Sequence, residues 1–149
     1  MNSKDTGNIV EAKTLLFFLE NHITVSQPFG NNARYDFIVD INNKLYRIQC
    51  KHGRLENGCI AADASNYSDG KEKRHYFGEA DFFAIYADFT KKLYLVPIVS
   101  QTPTSKLALR VFPPKKRYTK KTWTAENFEA DKILNLILNN QPLPIPSQC

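Results

Sequence analysis

The chain has 149 residues, 42% of them hydrophobic, and carries a formal net charge of +5 at pH 7. This length and composition suit one globular domain with its own core, and no run approaches the ~20 apolar residues of a membrane span. The N-terminal MNSKDTGN lacks the apolar stretch of a secretory signal, so we expect the protein to be made and used inside the cell.

The first predicted element is a helix over residues 6–21, with Thr6 as its N-cap. Apolar residues recur at helical spacing and are expected to form its buried stripe. They are Ile9, Ala12, Leu15, Leu16 and Leu19. A short strand over 22–26 and a turn-rich loop, PFGNN, follow.

The next segment, RYDFIVDINNKLYRIQCK, predicts a β-hairpin. Residues 35–41 and 44–51 alternate between apolar and other side chains, and Asn42-Asn43 between them is a tight-turn signal. Because side chains alternate across a strand, one face of the hairpin is apolar and the other is mixed. The mixed face carries the polar residues discussed below.

The three cysteines are Cys50, Cys59 and Cys149. Their odd number and the absence of a C-x-x-C spacing argue against a disulfide framework and against a zinc knuckle. Cys50 lies within a strand pattern, which predicts a small core residue.

Beyond the hairpin, residues 52–78 are polar and are expected to be irregular, with a short strand near Ile60. Three further strands are predicted over 82–88, 93–98 and 107–112, followed by a loop at 115–121, a helix over 125–139 and a Pro-rich tail. The order of elements predicts an α/β or α+β fold, with a mixed central sheet flanked by helices. The apolar face of the last helix, with Trp123 and Phe128, can be ordinary core or a subunit interface.

The second half of the chain contains a long basic stretch without acidic residues. From Phe89 to Ala125 there is no Asp or Glu but there are nine Lys or Arg residues, which favours contact with phosphate groups over a merely solvated surface. Candidate DNA-contacting residues are Arg47, Arg54, Asn66, Tyr67, Lys71, Lys73, Arg74, Lys91, Lys92, Lys115, Lys116 and Arg117. For Arg47 a structural ion pair is an equally good interpretation.

The hairpin brings together groups that can hydrolyse a phosphodiester. Asp36 begins one strand and Lys51 ends its neighbour, so both come to the same end of the sheet. A carboxylate can hold Mg²⁺ through oxygen, and the Gln49 amide and the Cys50 backbone carbonyl offer further oxygens. Lys51 would orient water or stabilise negative charge on phosphate.

The pattern D-x12-Q-x-K, preceded by a helix bearing Glu11, resembles the core of the PD-(D/E)XK nuclease superfamily. The chain is most similar to the bacterial group I intron-encoded homing endonucleases with that fold, over roughly residues 7–100. YFGEADFFAIYA and LYLVP resemble the later strands of that core. The resemblance implies a restriction-endonuclease-like fold and catalytic roles for Glu11, Asp36, Gln49 and Lys51. The resemblance also implies that Asp36 and Glu11 are metal ligands.

The same resemblance implies a single nuclease domain over 1–149, with 101–149 serving DNA contact or assembly. It also implies double-stranded DNA as substrate, Mg²⁺ as cofactor with Mn²⁺ or Ca²⁺ able to support binding, and a homodimer or homotetramer. The expected location is the bacterial cytoplasm, on the nucleoid when DNA is bound.

Two positions depart from the family pattern. Tyr35 stands where proline is usual, which has little consequence, and Gln49 replaces an acidic residue, which weakens the attraction for metal. Gly7 lies on roughly the same helical face as Glu11, and we expect it to permit a close backbone approach there.

Three alternatives stay open on these residues. The first is a nuclease specific for branched DNA, such as a Holliday-junction resolvase. The second is a non-catalytic DNA-binding module, which the uncharged Gln49 makes possible. The third is an RNA-binding protein that stacks bases on Tyr67, Tyr76 and Phe77.

Overall fold

The computed structural model describes residues 2–68, 72–112 and 123–145. The helices are α1 (Ser3–Glu20), a 3-10 turn (Ala125–Phe128) and α2 (Ala130–Leu138). The strands are β1 (Thr24–Ser26), β2 (Phe37–Ile41), β3 (Lys44–Glu56), β4 (Cys59–Asp63), β5 (Ser65–Ser68), β6 (Glu72–His75), β7 (Phe82–Ala87), β8 (Lys92–Pro97), β9 (Lys106–Arg110) and β10 (Trp123–Thr124). Within this part of the chain, no helix is long and apolar enough to cross a membrane.

The main sheet is mixed, as the order of elements predicts. β3 is its centre: it pairs antiparallel with β2 and β4, and parallel with β7. β7 pairs antiparallel with β8, while β9 and the short β10 extend the sheet beyond β4. The two strands described after residue 100, β9 and β10, therefore belong to the same sheet as the strands before it.

The predicted hairpin is confirmed. Asn42 and Asn43 have φ values of 53° and 62°, the pair of left-handed conformations that a two-residue hairpin turn needs and that asparagine tolerates. Register places Phe37 opposite Ile48, and both side chains are buried. The alternation of the sequence thus fixes which side of β2 and β3 faces the core.

The predicted buried stripe of α1 is wrong except at Leu15, which is partly buried against the core. Ile9, Leu16 and Leu19 are 37%, 51% and 53% exposed, and the buried residues are Val10, Thr14 and Phe18. Apolar residues surround this helix, so two faces fit helical spacing equally well. The buried face contains a threonine, whose hydroxyl is satisfied by donating to the Val10 carbonyl oxygen at 2.8 Å.

The start of α1 also differs from the prediction. Asn2, rather than Thr6, is the N-cap, and its side-chain oxygen accepts a hydrogen bond from the Asp5 N–H at 2.9 Å. The Thr6 N–H donates to the Asn2 carbonyl oxygen inside the first turn. The helix is therefore longer at its N-terminus than the apolar pattern indicates.

The described part of the segment 52–78 is mostly strand rather than irregular: β3 continues to Glu56 and turns into β4. Asn57 and Gly58 form that turn with φ values of 50° and 75°. Polar residues on these strands pair with one another, as when Arg54 contacts Glu56 at 2.8 Å. The predicted short strand near Ile60 is confirmed as β4. The extension of β3 to Glu56 and the strands β5 and β6 differ from the prediction, because their polar residues give no apolar alternation.

The C-terminal helix packs into the core. Phe128, Ile133, Leu134 and Ile137 are all buried, and α2 contacts β8. The apolar face of α2 is therefore core and not a free interface. The loop predicted at 115–121 lies outside the described residues.

Candidate active site

Asp36 is fixed immediately before β2 by two hydrogen bonds to β3. Its N–H donates to the Ile48 carbonyl oxygen at 2.8 Å, and its Oδ2 accepts from the Cys50 N–H at 2.7 Å. The two bonds bracket Gln49. The carboxylate is thereby held against the backbone of the strand that carries Gln49 and Lys51.

Asp36 and Glu11 line one cavity of about 360 Å³ between α1 and the loop that follows β1. The remaining wall residues are Gln27, Pro28, Gly30, Asn31, Ala33 and Tyr35. The helix thus contributes its carboxylate to the same space as the hairpin carboxylate, whereas Gln49, Cys50 and Lys51 are not among the residues that line this cavity.

The environment of the two carboxyls disfavours their charged forms. Burial raises the pKa of Asp36, although the hydrogen bond from the Cys50 N–H and the charge of Lys51 oppose that shift. Burial raises the pKa of Glu11 as well, and the nearby Asp36 carboxylate raises it further. Two partly desolvated carboxylates close enough to repel each other are stabilised by a cation placed between them.

Gln49 lies one residue from Cys50, and its Nε2 donates to the Cys50 carbonyl oxygen at 3.2 Å. The amide nitrogen is therefore used inside the protein. Any contact of this side chain with a metal or water would come from its amide oxygen.

Lys51 is held by a residue that lies 25 positions later in the chain. Its Nζ donates to the Tyr76 hydroxyl at 3.1 Å and lies 4.8 Å from the centre of the same ring. Tyr76 is only 2% exposed, so the expectation that it stacks on RNA bases is wrong. Nothing in the sequence places these two residues together, because the intervening segment gives no apolar periodicity.

Cys50 is a core residue, as predicted. It is 9% exposed, and its sulfur lies 3.5 Å from the Thr14 hydroxyl on α1. Burial raises the pKa of this thiol strongly, so it stays protonated and unreactive. Through this contact, β3, which carries Gln49 and Lys51, packs against α1, which carries Glu11.

The expected close approach at Gly7 is wrong. A Cβ built at Gly7 would have no atom within 4 Å. Gly53 on β3 is the position with no room for a side chain, because a Cβ there would come within 2.6 Å of Ile60 and 2.9 Å of Ile85.

The donor groups suit Mg²⁺. Among the described residues, no three His, Cys, Asp or Glu side chains cluster as metal ligands, so the available charged donors are Asp36 and Glu11. Mg²⁺ is commonly bound through one or two carboxylates and keeps several waters. A polar cavity of this volume has room for the ion with such waters.

Most described basic candidates for DNA contact also have acidic partners. Arg47 binds Asp81 with two nitrogens, at 3.1 and 3.2 Å, which is the structural ion pair considered for it. Arg54 contacts Glu56 and Asp63, Arg74 contacts Glu79, and Lys92 contacts Glu129. His52 lies on β3 rather than in a loop and is 2.7 Å from Asp88.

Lys91 is exposed in the turn between β7 and β8. The backbones of Asn66, Tyr67 and Lys73 form the β5–β6 hairpin. Lys71, Lys115, Lys116 and Arg117 lie outside the described residues. The structure therefore leaves the DNA-contacting role of the basic segments as a prediction.

A family model described as PD-(D/E)XK endonuclease matches residues 1–131. Among solved structures, the chain is similar to a bacterial homing endonuclease, I-Ssp6803I, with a TM-score of 0.66 and 19% sequence identity. That similarity covers 93% of each chain and, at this identity, establishes the fold. A search of curated proteins finds no significant match.

Proposed function

The chain belongs to the PD-(D/E)XK endonuclease family, and we propose that it is a sequence-specific, Mg²⁺-dependent endonuclease that cuts double-stranded DNA in intron homing. The observation that carries the proposal is the shared cavity of Glu11 and Asp36, in which the pKa values of both carboxyls are raised. The Lys51 charge acts on the same Asp36 carboxylate.

We assign the metal to this cavity. Asp36 would be its main ligand, Glu11 would bind it directly or through water, and the Gln49 amide oxygen and Cys50 carbonyl would complete the protein donors. When bound, Mg²⁺ would polarise the scissile phosphate and make a bound water more acidic.

The protein residues supply orientation and charge. The hydrogen bond from the Cys50 N–H fixes one Asp36 oxygen and leaves the other oxygen for the metal. Lys51 would donate to the attacking water or to a phosphate oxygen, where its positive charge opposes the charge that develops in the transition state. Gln49 contributes no charge, so the site relies on Asp36 and Glu11 for electrostatic attraction.

DNA engagement and assembly extend this proposal. The acid-free basic segment, which includes Lys115, Lys116 and Arg117, would contact the phosphate backbone and contribute salt-dependent affinity. A domain of this size covers few base pairs, so recognition of a long target would need a homodimer or homotetramer. The protein would act in the bacterial cytoplasm.

One alternative is supported by a specific residue. Gln49 in place of an acidic ligand weakens the attraction for metal and makes a non-catalytic DNA-binding module with the same fold possible. Such a protein would bind DNA without cutting it in any divalent metal.

The test uses purified protein with three substrates: plasmid carrying the intronless target region, plasmid lacking it, and a four-way DNA junction. We expect cutting of the first plasmid alone, in Mg²⁺ and not in EDTA. Preferential cutting of the junction would identify a resolvase. Binding without cutting in Mg²⁺ or Mn²⁺ would identify the non-catalytic module and refute the proposal.

A further inference from the structure

The contact between Lys51 and Tyr76 has a specific geometry. The Lys51 ammonium approaches both the hydroxyl and the ring of Tyr76, at 3.1 Å from the oxygen and 4.8 Å from the ring centre. A lysine side chain has four rotatable bonds, and an exposed lysine would sample many positions. The hydrogen bond to the hydroxyl of a rigid tyrosine holds the Lys51 ammonium in one of these positions.

Tyr76 is itself held rigidly. It is 2% exposed and packs edge-on against Phe83 of β7, with ring centres 5.4 Å apart. The Arg34 guanidinium lies 4.0 Å from the centre of the Tyr76 ring. Phe83 pairs with Gln49 across the parallel strands, so the tyrosine is anchored beside the same stretch of β3 as the candidate site.

Arg34 is fixed in turn. Its Nε donates to Glu79 at 2.8 Å, and its Nη2 donates to the carbonyl oxygens of Arg74 and His75 at 3.0 Å each. The Glu79 carboxylate offsets the guanidinium charge, which reduces the repulsion between Arg34 and Lys51. Phe83 and Arg34 thus hold the Tyr76 ring. The Tyr76 hydroxyl in turn holds Lys51, and we call this arrangement the clamp.

We infer that Tyr76 is the positioning residue for Lys51. The inference rests on the proposed function. Tyr76 does not touch the phosphate; it acts by holding the Lys51 ammonium where the attacking water or a phosphate oxygen meets it. Loss of the hydroxyl would leave the folded site and the DNA surface intact but would let Lys51 leave its position. Misplacement of a catalytic group by about 1 Å can slow a reaction by about 100-fold.

The chain offers a matched control. Tyr94 is also 2% exposed. It lies on β8, with Ile85 of β7 between it and Lys51, and its hydroxyl donates to Thr90 at 2.9 Å rather than accepting from Lys51. Tyr76→Phe and Tyr94→Phe each remove one hydrogen-bonded hydroxyl from a buried ring. The two variants should lose similar stability, and only the first alters the surroundings of Lys51.

Single-turnover cleavage in Mg²⁺ and DNA affinity in Ca²⁺ test the inference. We expect Tyr76→Phe to cut about 10- to 100-fold more slowly with an unchanged Kd, and Tyr94→Phe to cut as the wild type does. Equal rates for the two variants would overturn the inference, as would a faster Tyr76→Phe, which would mean that the tyrosine withholds the lysine. A wild-type protein that cuts no DNA would refute the proposed function and this inference with it.

A second measurement does not depend on cleavage. In a double-mutant cycle of Lys51→Met and Tyr76→Phe, we expect the shifts in the urea midpoint to be less than additive, because both changes remove the same contact. Additive shifts would contradict the clamp even if the protein is an active nuclease.

A separate observation concerns Phe29. Its side chain is fully exposed, at 109% of the reference area, in the loop whose neighbouring residues Gln27, Pro28 and Gly30 line the cavity of Glu11 and Asp36. Pro28 restricts the loop, and Gly30 adopts a φ of 88° that suits glycine. A large aromatic ring is thus presented to solvent on the loop that forms one wall of the site.

We propose that Phe29 stacks on, or wedges beside, a base next to the scissile phosphate. This also rests on the proposed function, because a phosphate in the cavity brings its flanking bases to the loop. Aromatic side chains bind unstacked bases through their π-faces and open base steps as apolar wedges. The base contact accounts for an aromatic ring that packs against little of its own protein.

The probe is duplex DNA with 2-aminopurine beside the cut position, bound in Ca²⁺. We expect a rise in 2-aminopurine fluorescence when the wild type binds. Phe29→Ala should lose that rise and bind the DNA about 5- to 100-fold more weakly. The control Leu45→Ala, which changes a residue that is 63% exposed at the hairpin turn, should behave as the wild type does. An unchanged fluorescence rise in Phe29→Ala would overturn the proposal. A change in subunit number in Phe29→Ala would also overturn it, since that result assigns the ring to an interface.

Discussion

Replacing Gly53 by alanine tests how β3 is seated in the core. Gly53 lies two residues after Lys51, and an added Cβ would come within 2.6 Å of Ile60 Cγ2 and 2.9 Å of Ile85 Cγ2. Both isoleucines are 1% exposed. Their Cγ2 atoms are attached directly to Cβ, so they cannot move without a change of rotamer or a shift of the strands.

The expected cost follows from overpacking. Insertion of a methyl group into a closed core costs about 1–3 kcal/mol. For a protein of about 150 residues, each kcal/mol changes Tm by about 2–4 °C, so Gly53→Ala should melt about 2–12 °C below wild type. Because β3 also carries Gln49 and Lys51, we expect cleavage to fall in the folded variant.

Gly7→Ala is the matched control. A Cβ at Gly7 would have no atom within 4 Å, and glycine inside a helix is about 1 kcal/mol less favourable than alanine. The same chemical change should therefore stabilise the protein at Gly7 and destabilise it at Gly53. Urea denaturation with thermal melting measures both, and a Gly53→Ala protein as stable as wild type would refute the close packing of β3 against β4 and β7.

Three further predictions concern the site and its support. At 10 mM Mg²⁺ and a Kd of about 1 mM, metal binding should stabilise the wild type by about 1.4 kcal/mol and raise its melting temperature accordingly. Glu11→Gln or Asp36→Asn should lose this rise in melting temperature. A rise equal to that of wild type in both variants would place the metal elsewhere. The folded-state pKa values of Glu11 and Asp36 are raised. Their contribution to the stability of the metal-free protein is therefore full below the ordinary carboxyl pKa of about 4 and is lost as pH rises through the raised values. Metal-free Asp36→Asn should be more stable than wild type near pH 7, with the difference in unfolding free energy shrinking toward pH 4, and a difference that is constant with pH would contradict the shift. Asp81→Ala should lower the urea midpoint by the equivalent of about 1 kcal/mol and leave DNA binding unchanged, because Asp81 is the structural partner of Arg47. Tighter DNA binding at unchanged stability would instead assign the released Arg47 to the DNA surface.

The hairpin and its polar end could be predicted because local signals agree there. The consistently apolar face of Phe37, Val39 and Ile41 and the buried Cys50 follow from the period of a strand. The Asn42-Asn43 turn follows from the conformations that asparagine tolerates. The position of Asp36 beside Gln49 then follows from hairpin register alone.

Other features depend on contacts that the sequence does not encode locally. α1 has two apolar faces, and the choice between them is made by packing against β3, where Thr14 meets Cys50. The strands after Lys51 are stabilised partly by cross-strand ion pairs such as Lys106 with Glu56 at 2.6 Å, which resemble loop composition in a linear sequence. The meeting of Lys51 and Tyr76 depends on how that polar segment folds back over the sheet.

The central claim is that the groups around Asp36 hydrolyse DNA. Its most direct test is the single-turnover cleavage rate in Mg²⁺ of Asp36→Asn and Lys51→Ala, with Asp40→Asn as control because Asp40 is an exposed carboxylate on the same hairpin. We expect the first two variants to cut at least ~1000-fold more slowly while binding DNA in Ca²⁺ nearly as tightly as wild type, and Asp40→Asn to cut normally. Wild-type cleavage by a folded Asp36→Asn or Lys51→Ala protein would contradict the account.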